Sequence, residues 1–170
     1  MRKVKVRILK TGYALLLTAL MQGMAYSQFT ERAVLQADSA LQKLNLEDCI
    51  NLISGSEGMQ APGIPRLGIP PLKMTDGPFG PHWGKAPAFP TGVCLAATWD
   101  TALVYQAARL MGKCTYAQGR NTLLGPCVNI HRIPTGGRNF ESYSEDPWLA
   151  SRMAVAVVKG LQDEHVVPVV

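Results

Sequence analysis

The sequence has 170 residues, with 17 Lys and Arg against 12 Asp and Glu, a formal net charge of +5. The surplus lies in Arg2, Lys3, Lys5, Arg7 and Lys10, and from Gln28 onward acids and bases are equal in number, so the basic balance marks a leader and excludes a nucleic-acid-binding surface. A composition 47% hydrophobic and 17% charged excludes a disordered polar tail, and 16 Gly and 12 Pro, most of them after residue 54, exclude a coiled coil.

The basic residues are followed by an uncharged stretch, residues 11–26, and by Ala25-Tyr26-Ser27, a small-x-small pattern before Gln28. Charged start, short apolar run and small-residue site together predict a secretory signal peptide over residues 1–27. A membrane-spanning helix wants about 20 strongly apolar residues, and Gln22 and Gly23 interrupt this stretch. The expected location is secreted or periplasmic, with no membrane partner after cleavage. Residues 28–170, roughly 140 of them, suffice for one modest core but fall short of the about 200–250 that a complete large barrel takes.

Residues 30–54 read as helix, with apolar residues recurring near a 3.6 period and a break at Asn45 before a second segment begins at Leu46. Pro and Gly make residues 61–71 an irregular extended loop. Residues 71–75 are a short strand that runs into the turn signal Asp76-Gly77-Pro78. A second loop, 79–92, carries His82 and Trp83 as exposed aromatics. The continuous apolar run 93–97 reads as a strand, closed by Thr98-Trp99-Asp100, with Asp100 placed as an N-cap. A helix over 101–118 presents Leu103, Ala107, Leu110, Met111 and Cys114 on one face. Residues 122–124 are another short strand, and 128–130 lead into a polar loop, 131–146. Asp146 then caps a helix over 147–162 with Pro147 as its first residue, and residues 166–170 read as a terminal strand that leaves the sheet unfinished. This alternation implies right-handed βαβ units and a parallel sheet, with polar loops at the strands' C-terminal ends, where α/β proteins build their sites.

Export would place Cys49, Cys94, Cys114 and Cys127 in an oxidising compartment. Their spacings of 45, 20 and 13 residues contain no C-x-x-C and no His at ligand spacing, so neither a metal site nor a cofactor is expected. Cys94 and Cys127 fall in or beside predicted buried strands, which favours buried thiols over a bridge.

Two loops hold the chemistry-bearing residues: Lys73-Met-Thr-Asp76-Gly-Pro-Phe-Gly80 and the segment from Asn129 to Pro147. Taken singly, each residue has a plain reading. Asp76 before Gly-Pro is a turn former, Arg138 pairs with Glu141 or Glu145 to organise its loop, His131 is a hydrogen-bonded loop residue, and Tyr143 and Trp148 pack. Taken together, a carboxylate and a guanidinium at neighbouring strand ends suit the vicinal hydroxyls of a sugar: Asp accepts from two, Arg donates in a planar fork.

The segment Gly136-Gly-Arg-Asn-Phe-Glu-Ser-Tyr-Ser-Glu-Asp-Pro147 resembles the arginine signature of glycoside hydrolase family 3, the β-glucosidase-type enzymes. Leu46-Glu-Asp-Cys-Ile50 with Leu52, Ile69 to Pro78, Phe89-Pro-Thr-Gly92 with Ala96 to Asp100, and Gly125 to Arg132 agree in order and spacing. The resemblance implies the N-terminal portion of a (β/α)8-type, TIM-like barrel, incomplete in this chain, and a retaining β-glycosidase acting on oligosaccharide or β-glycoside substrates. It implies that Asp76 and Arg138 bind substrate hydroxyls and that Glu141 orients the arginine. Asp100 and Asp146 match positions that read as helix caps. The family's Lys-His pair, aspartate nucleophile and acid/base residue come after the segments matched here, so no catalytic residue is expected in this chain. The competing readings are a non-catalytic exported carbohydrate-binding α/β module and an exported α/β protein whose loops are only structural.

Overall fold

The structure, a computed structural model, describes residues 31–56 and 58–170; the leader reading lies outside them. The chain divides into two compact units at Leu44/Asn45. In the first, α1 (Glu31–Leu41) is a single amphipathic helix. In the second, α2 (Leu46–Ile53) starts at Asn45, whose side chain accepts from the Asp48 N–H while Asp48 accepts in return from the Asn45 N–H. That reciprocal capping box is why the helical pattern breaks at Asn45. Asp48 also pairs with Arg66, and the two bonds together hold its carboxyl below the usual carboxylate range.

A sheet follows in the order β1–β2–β3–β4, built from β1 (Gln60–Ala61), β2 (Leu72–Asp76), β3 (Thr122–Leu124) and β4 (Val167–Val169). β1 pairs antiparallel to β2, whereas β2, β3 and β4 run parallel. The loop over 61–71 is mostly irregular as expected, but it begins in β1 and carries one 3₁₀ turn, Pro65–Leu67. The β2–β3 crossover contains α3 (Gly92–Ala96) and α4 (Thr101–Ala117), and the β3–β4 crossover contains α5 (Pro147–Asp163). Asp100 caps α4 through the Ala102 and Leu103 N–H groups, and Asp146 caps α5 through the Trp148 N–H.

Residues 93–96 lie in the helix Gly92–Ala96 and Ala97 is its C-cap, so the run is not a strand. Leu95 and Ala96 are both buried and Val93 and Cys94 both exposed, a pattern that one helical turn produces and strand alternation does not. Gly92 permits it, since a Cβ there would sit 2.4 Å from the Glu141 carbonyl oxygen. An apolar run this short does not distinguish the two states by periodicity. The buried-thiol expectation falls with it: all four cysteines are unbridged, but Cys94 and Cys49 are exposed and Cys114 and Cys127 half-buried.

The core joins Leu95, Val104, Met111, Leu123, Met153, Val157 and Leu161. α4 and α5 form the largest interface between elements. The buried face of α4 is Val104, Ala108, Met111, Gly112 and Thr115, one residue round from the expected stripe. Leu103 and Leu110 stay 48% and 55% exposed, because small residues at 108 and 112 let the two helix backbones approach. α5 answers with Gly160, whose added Cβ would lie 2.6 Å from the Tyr105 carbonyl oxygen and 2.7 Å from Ala108 Cβ. Tyr105 and Arg109 reach across the same seam to Asp163 and Glu164.

Helix propensity alone favours Ala over Gly by about 0.8–1.0 kcal/mol. At residue 160 the clash outweighs that gain, so Gly160→Ala should lower stability by about 1–3 kcal/mol. Gly137→Ala, where the methyl meets open space, should stay within about 0.5 kcal/mol of the parent. Urea unfolding of both variants checks the pair.

Candidate functional site

The parallel register aligns Asp76, Leu124 and Val169 across three neighbouring strand ends. Asp76 is therefore the last residue of β2 at the same level as the end of β3, from which the polar loop departs. Its carbonyl oxygen accepts from the His82 N–H at 2.9 Å, turning the following loop back on the strand. Its exposed carboxylate has no hydrogen bond or ion pair to any described residue. The turn-former reading thus holds for the main chain and leaves the side chain free for a ligand.

Arg138 sits in the loop after β3, and a 3₁₀ turn, Asn139–Glu141, brings Glu141 back beneath it. The guanidinium donates from Nε to Glu141 Oε1 at 3.0 Å and from Nη2 to Oε2 at 2.6 Å. Glu141 is the partner, as one of the two expected alternatives; Glu145 is exposed. The Glu141 side chain is 10% exposed and that of Arg138 is 77% exposed. A buried carboxylate therefore holds an exposed guanidinium in a planar fork and leaves Nη1 without a described partner.

The electrostatics follow from this pair. Hydrogen bonds from Arg138 hold the Glu141 carboxyl below its usual range despite burial, with smaller contributions from the Arg138 charge and a Cys127 hydrogen bond. Arg138 is pushed up, first by its bond to Glu141, then by the Glu141 charge, with Asp76 adding in the same direction. The carboxylate of one loop thus acts electrostatically on the guanidinium of the other.

A cleft of about 330 Å³ gathers Asp76, Leu124, Cys127, Asn129, Arg138, Glu141 and Val169. The three residues singled out from the sequence, Asp76, Arg138 and Glu141, all line it. Sequence reasoning missed Cys127, whose Sγ lies 3.8 Å from Glu141 Oε2 and 3.7 Å from Asn129 Oδ1. Also missed was the aromatic contact between the loops, Phe79 against Phe140 at 5.8 Å. The spacing carries a signal for the second: Phe79 stands three residues after Asp76, and Phe140 two after Arg138.

Of the remaining residues, Tyr143 is core, and burial pushes its hydroxyl well above the usual tyrosine range. Trp148 does not pack. It is 64% exposed on the first turn of α5, with the Arg152 guanidinium 5.9 Å from its ring. His131 bonds only through its main chain, its N–H donating to the Ser144 carbonyl; the ring Nε2 is buried without a partner. Among the described residues no three His, Cys, Asp or Glu side chains converge as a metal site would require.

Residues 33–170 match the family model for the glycosyl hydrolase family 3 N-terminal domain. A beta-glucosidase from Rhizobium radiobacter is 42% identical over 136 residues, which are 76% of this chain and 17% of that protein. Beta-glucosidase B from Emericella nidulans is 42% identical over 137 residues, 77% of this chain and 16% of its own length. A solved beta-glucosidase from Streptomyces venezuelae, in complex with D-glucose, superposes with a TM-score of 0.75 at 35% identity, over 78% of this chain and 18% of that one. The chain thus spans about one-sixth of the length of the curated relatives it matches.

Because Glu141 is held below its ordinary value, its ion pair stabilises the fold fully above the unfolded carboxyl pKa of about 4.3 and is lost as pH falls through the lower folded value. Glu141→Gln removes that dependence. The stability gap between parent and variant should therefore be widest near neutrality and narrow below about pH 4. Urea midpoints over that pH range measure it, and a constant gap would dismiss the assignment.

Proposed function

The chain belongs to glycosyl hydrolase family 3, and from that premise we propose that it forms the N-terminal part of the TIM-like barrel of an exported, retaining β-glucosidase-like enzyme. In this reading residues 28–170 supply half of the site for the non-reducing terminal sugar. The observation that carries it is the pairing, in one cleft at parallel strand ends, of a partnerless carboxylate, Asp76, with a guanidinium held in place by Glu141.

Each sugar hydroxyl is both donor and acceptor. Asp76 accepts from two neighbouring hydroxyls, while the Arg138 Nη1 group donates to an adjacent hydroxyl oxygen. Glu141 binds no sugar; it aligns the fork before substrate arrives, so no ordering cost falls on binding. As the ring distorts toward an oxocarbenium-like state, contacts that tighten lower the barrier as well as the dissociation constant.

Retaining hydrolysis needs two further carboxyl groups about 5 Å apart across the scissile bond. We place both in the part of the relatives that this chain does not span, and assign no cofactor. Asp76 is a binding residue and not the nucleophile. Residues 1–27 are read as the signal that exports the protein to the periplasm or medium. The non-catalytic binding module receives no support from relatives that are beta-glucosidases.

Two measurements test this reading. In a protein of the relatives' full length containing this chain, Asp76→Ala and Arg138→Ala should each lower kcat/KM on aryl β-glycosides about 100-fold or more, since hydrogen bonds to charged groups contribute about 1.5–3 kcal/mol each and several are lost. Arg138→Lys should rescue little, because an ammonium lacks the planar fork, and melting temperatures should hold. Near-parental activity in Asp76→Ala would sink the clamp. For export, N-terminal sequencing of secreted protein should begin at Gln28, whereas an intact Met1 in the membrane fraction would establish an anchor.

A further inference from the structure

Arg66, Arg109 and Arg138 each pair with a carboxylate. Arg120 is 6% exposed and has no carboxylate partner among the described residues. Its guanidinium carbon lies 3.6 Å from the centre of the Trp83 ring, and its Nη1 donates to the Met74 carbonyl oxygen at 3.2 Å. Burying a charge without a counterion is costly, and removal from water strengthens its attraction to an aromatic face. The stack on Trp83 and the Met74 bond are what offset that cost. Two residues earlier, Gln118 donates from Nε2 to the Lys85 carbonyl oxygen at 3.3 Å. The stretch between α4 and β3 thus holds the loop over 79–92 at two points. Residues 83–88 of that loop make no main-chain to main-chain hydrogen bond with described residues, so these side-chain contacts are what fix them.

The loop acts back on Asp76 through the neighbour of Trp83. The His82 N–H donates to the Asp76 carbonyl oxygen at 2.9 Å, and the His82 ring lies 4.6 Å from Phe79, the residue that meets Phe140. Because the Asp76 carboxylate has no partner in the described protein, the main chain alone places it. The sheet register sets one side, and the bonds of its carbonyl to His82 and the Thr75 hydroxyl set the other. We propose that Arg120 is a positioning residue for Asp76: stacked on Trp83, it latches the loop that returns to Asp76 and so fixes where that carboxylate meets a sugar hydroxyl. The proposal rests on the reading of Asp76 as a sugar-binding residue. Arg120 itself touches no sugar, being buried against Trp83.

The latch and its consequence are read separately. In the 170-residue chain, amide hydrogen exchange follows the His82 N–H. Arg120→Met and Trp83→Leu should each speed that exchange about ten-fold, and the double variant no more than either. Trp83→Phe, which keeps an aromatic face, should retain most of the protection, and the Leu123 amide in β3 should be unaffected. In a protein of the relatives' full length containing this chain, Arg120→Met should lower kcat/KM on an aryl β-glucoside about ten-fold. In an Asp76→Ala background it should have no further effect, since nothing is then left to position. Trp83→Leu, at an exposed position, carries the same test should Arg120→Met not fold. Unchanged His82 exchange, a matching rise at Leu123, or a full ten-fold loss of activity that persists without Asp76 overturns the proposal. Near-parental activity in Asp76→Ala together with faster His82 exchange in Arg120→Met overturns the sugar reading and upholds the latch.

Discussion

A buried carboxylate holding an exposed guanidinium is the contact from which the rest of the site takes its shape. Arg138 lies on a loop more than a dozen residues beyond the end of β3, and a loop of that length has no intrinsic reason to present one side chain in one orientation. Glu141 supplies the reason, because it returns through a single 3₁₀ turn and engages the guanidinium at two nitrogens. Glu141 is itself fixed from below. Gly92, at the start of α3, lies so close to the Glu141 and Ser142 carbonyls that no side chain fits between them, and α3 is anchored through Leu95 and Ala96 in the core. The order of dependence therefore runs from core to α3, to the 3₁₀ turn, to Glu141, to Arg138.

This order explains what the sequence made legible. The capped helices were readable because a cap is a local event: Asn45, Asp100 and Asp146 each bond within three residues of themselves. The parallel strands were readable because β2 and β3 are short segments that each end at a Gly-Pro signal. The residues 93–97 were not, since their helical state depends on a contact between Gly92 and a carbonyl nearly fifty residues away. The face of α4 was misjudged for a related reason. Apolar spacing suggested that Leu103 and Leu110 share the inward face, whereas close helix packing put Ala108 and Gly112 at the seam.

In the site, the charged residues were visible and their surroundings were not. Asp76, Arg138 and Glu141 stood out because the two polar loops pair a carboxylate with a guanidinium and because the family resemblance gives these three positions roles. Cys127, Asn129 and Phe140 carry no such flag, and only the folded loop shows that the first contacts Glu141 and the last contacts Phe79. The Phe79–Phe140 contact matters because it joins the loop bearing Asp76 to the loop bearing Arg138, so the two charges are related by packing as well as by the sheet register.

The two charged residues are treated differently by the fold, and their chemistry accounts for the difference. A guanidinium donates only in its own plane, so its usefulness depends on a fixed orientation, and Glu141 provides one. A carboxylate accepts over a broad range of directions at both oxygens, so Asp76 needs only to be at the right place, which the end of β2 and its register with Leu124 supply. Pairing Asp76 inside the protein would consume the lone pairs that the proposed sugar hydroxyl would bond. Pairing Arg138 consumes two nitrogens and leaves the third, whose plane the pairing has set. One residue is therefore kept free and the other is kept aimed, which is what the proposed binding of a sugar's hydroxyls would use.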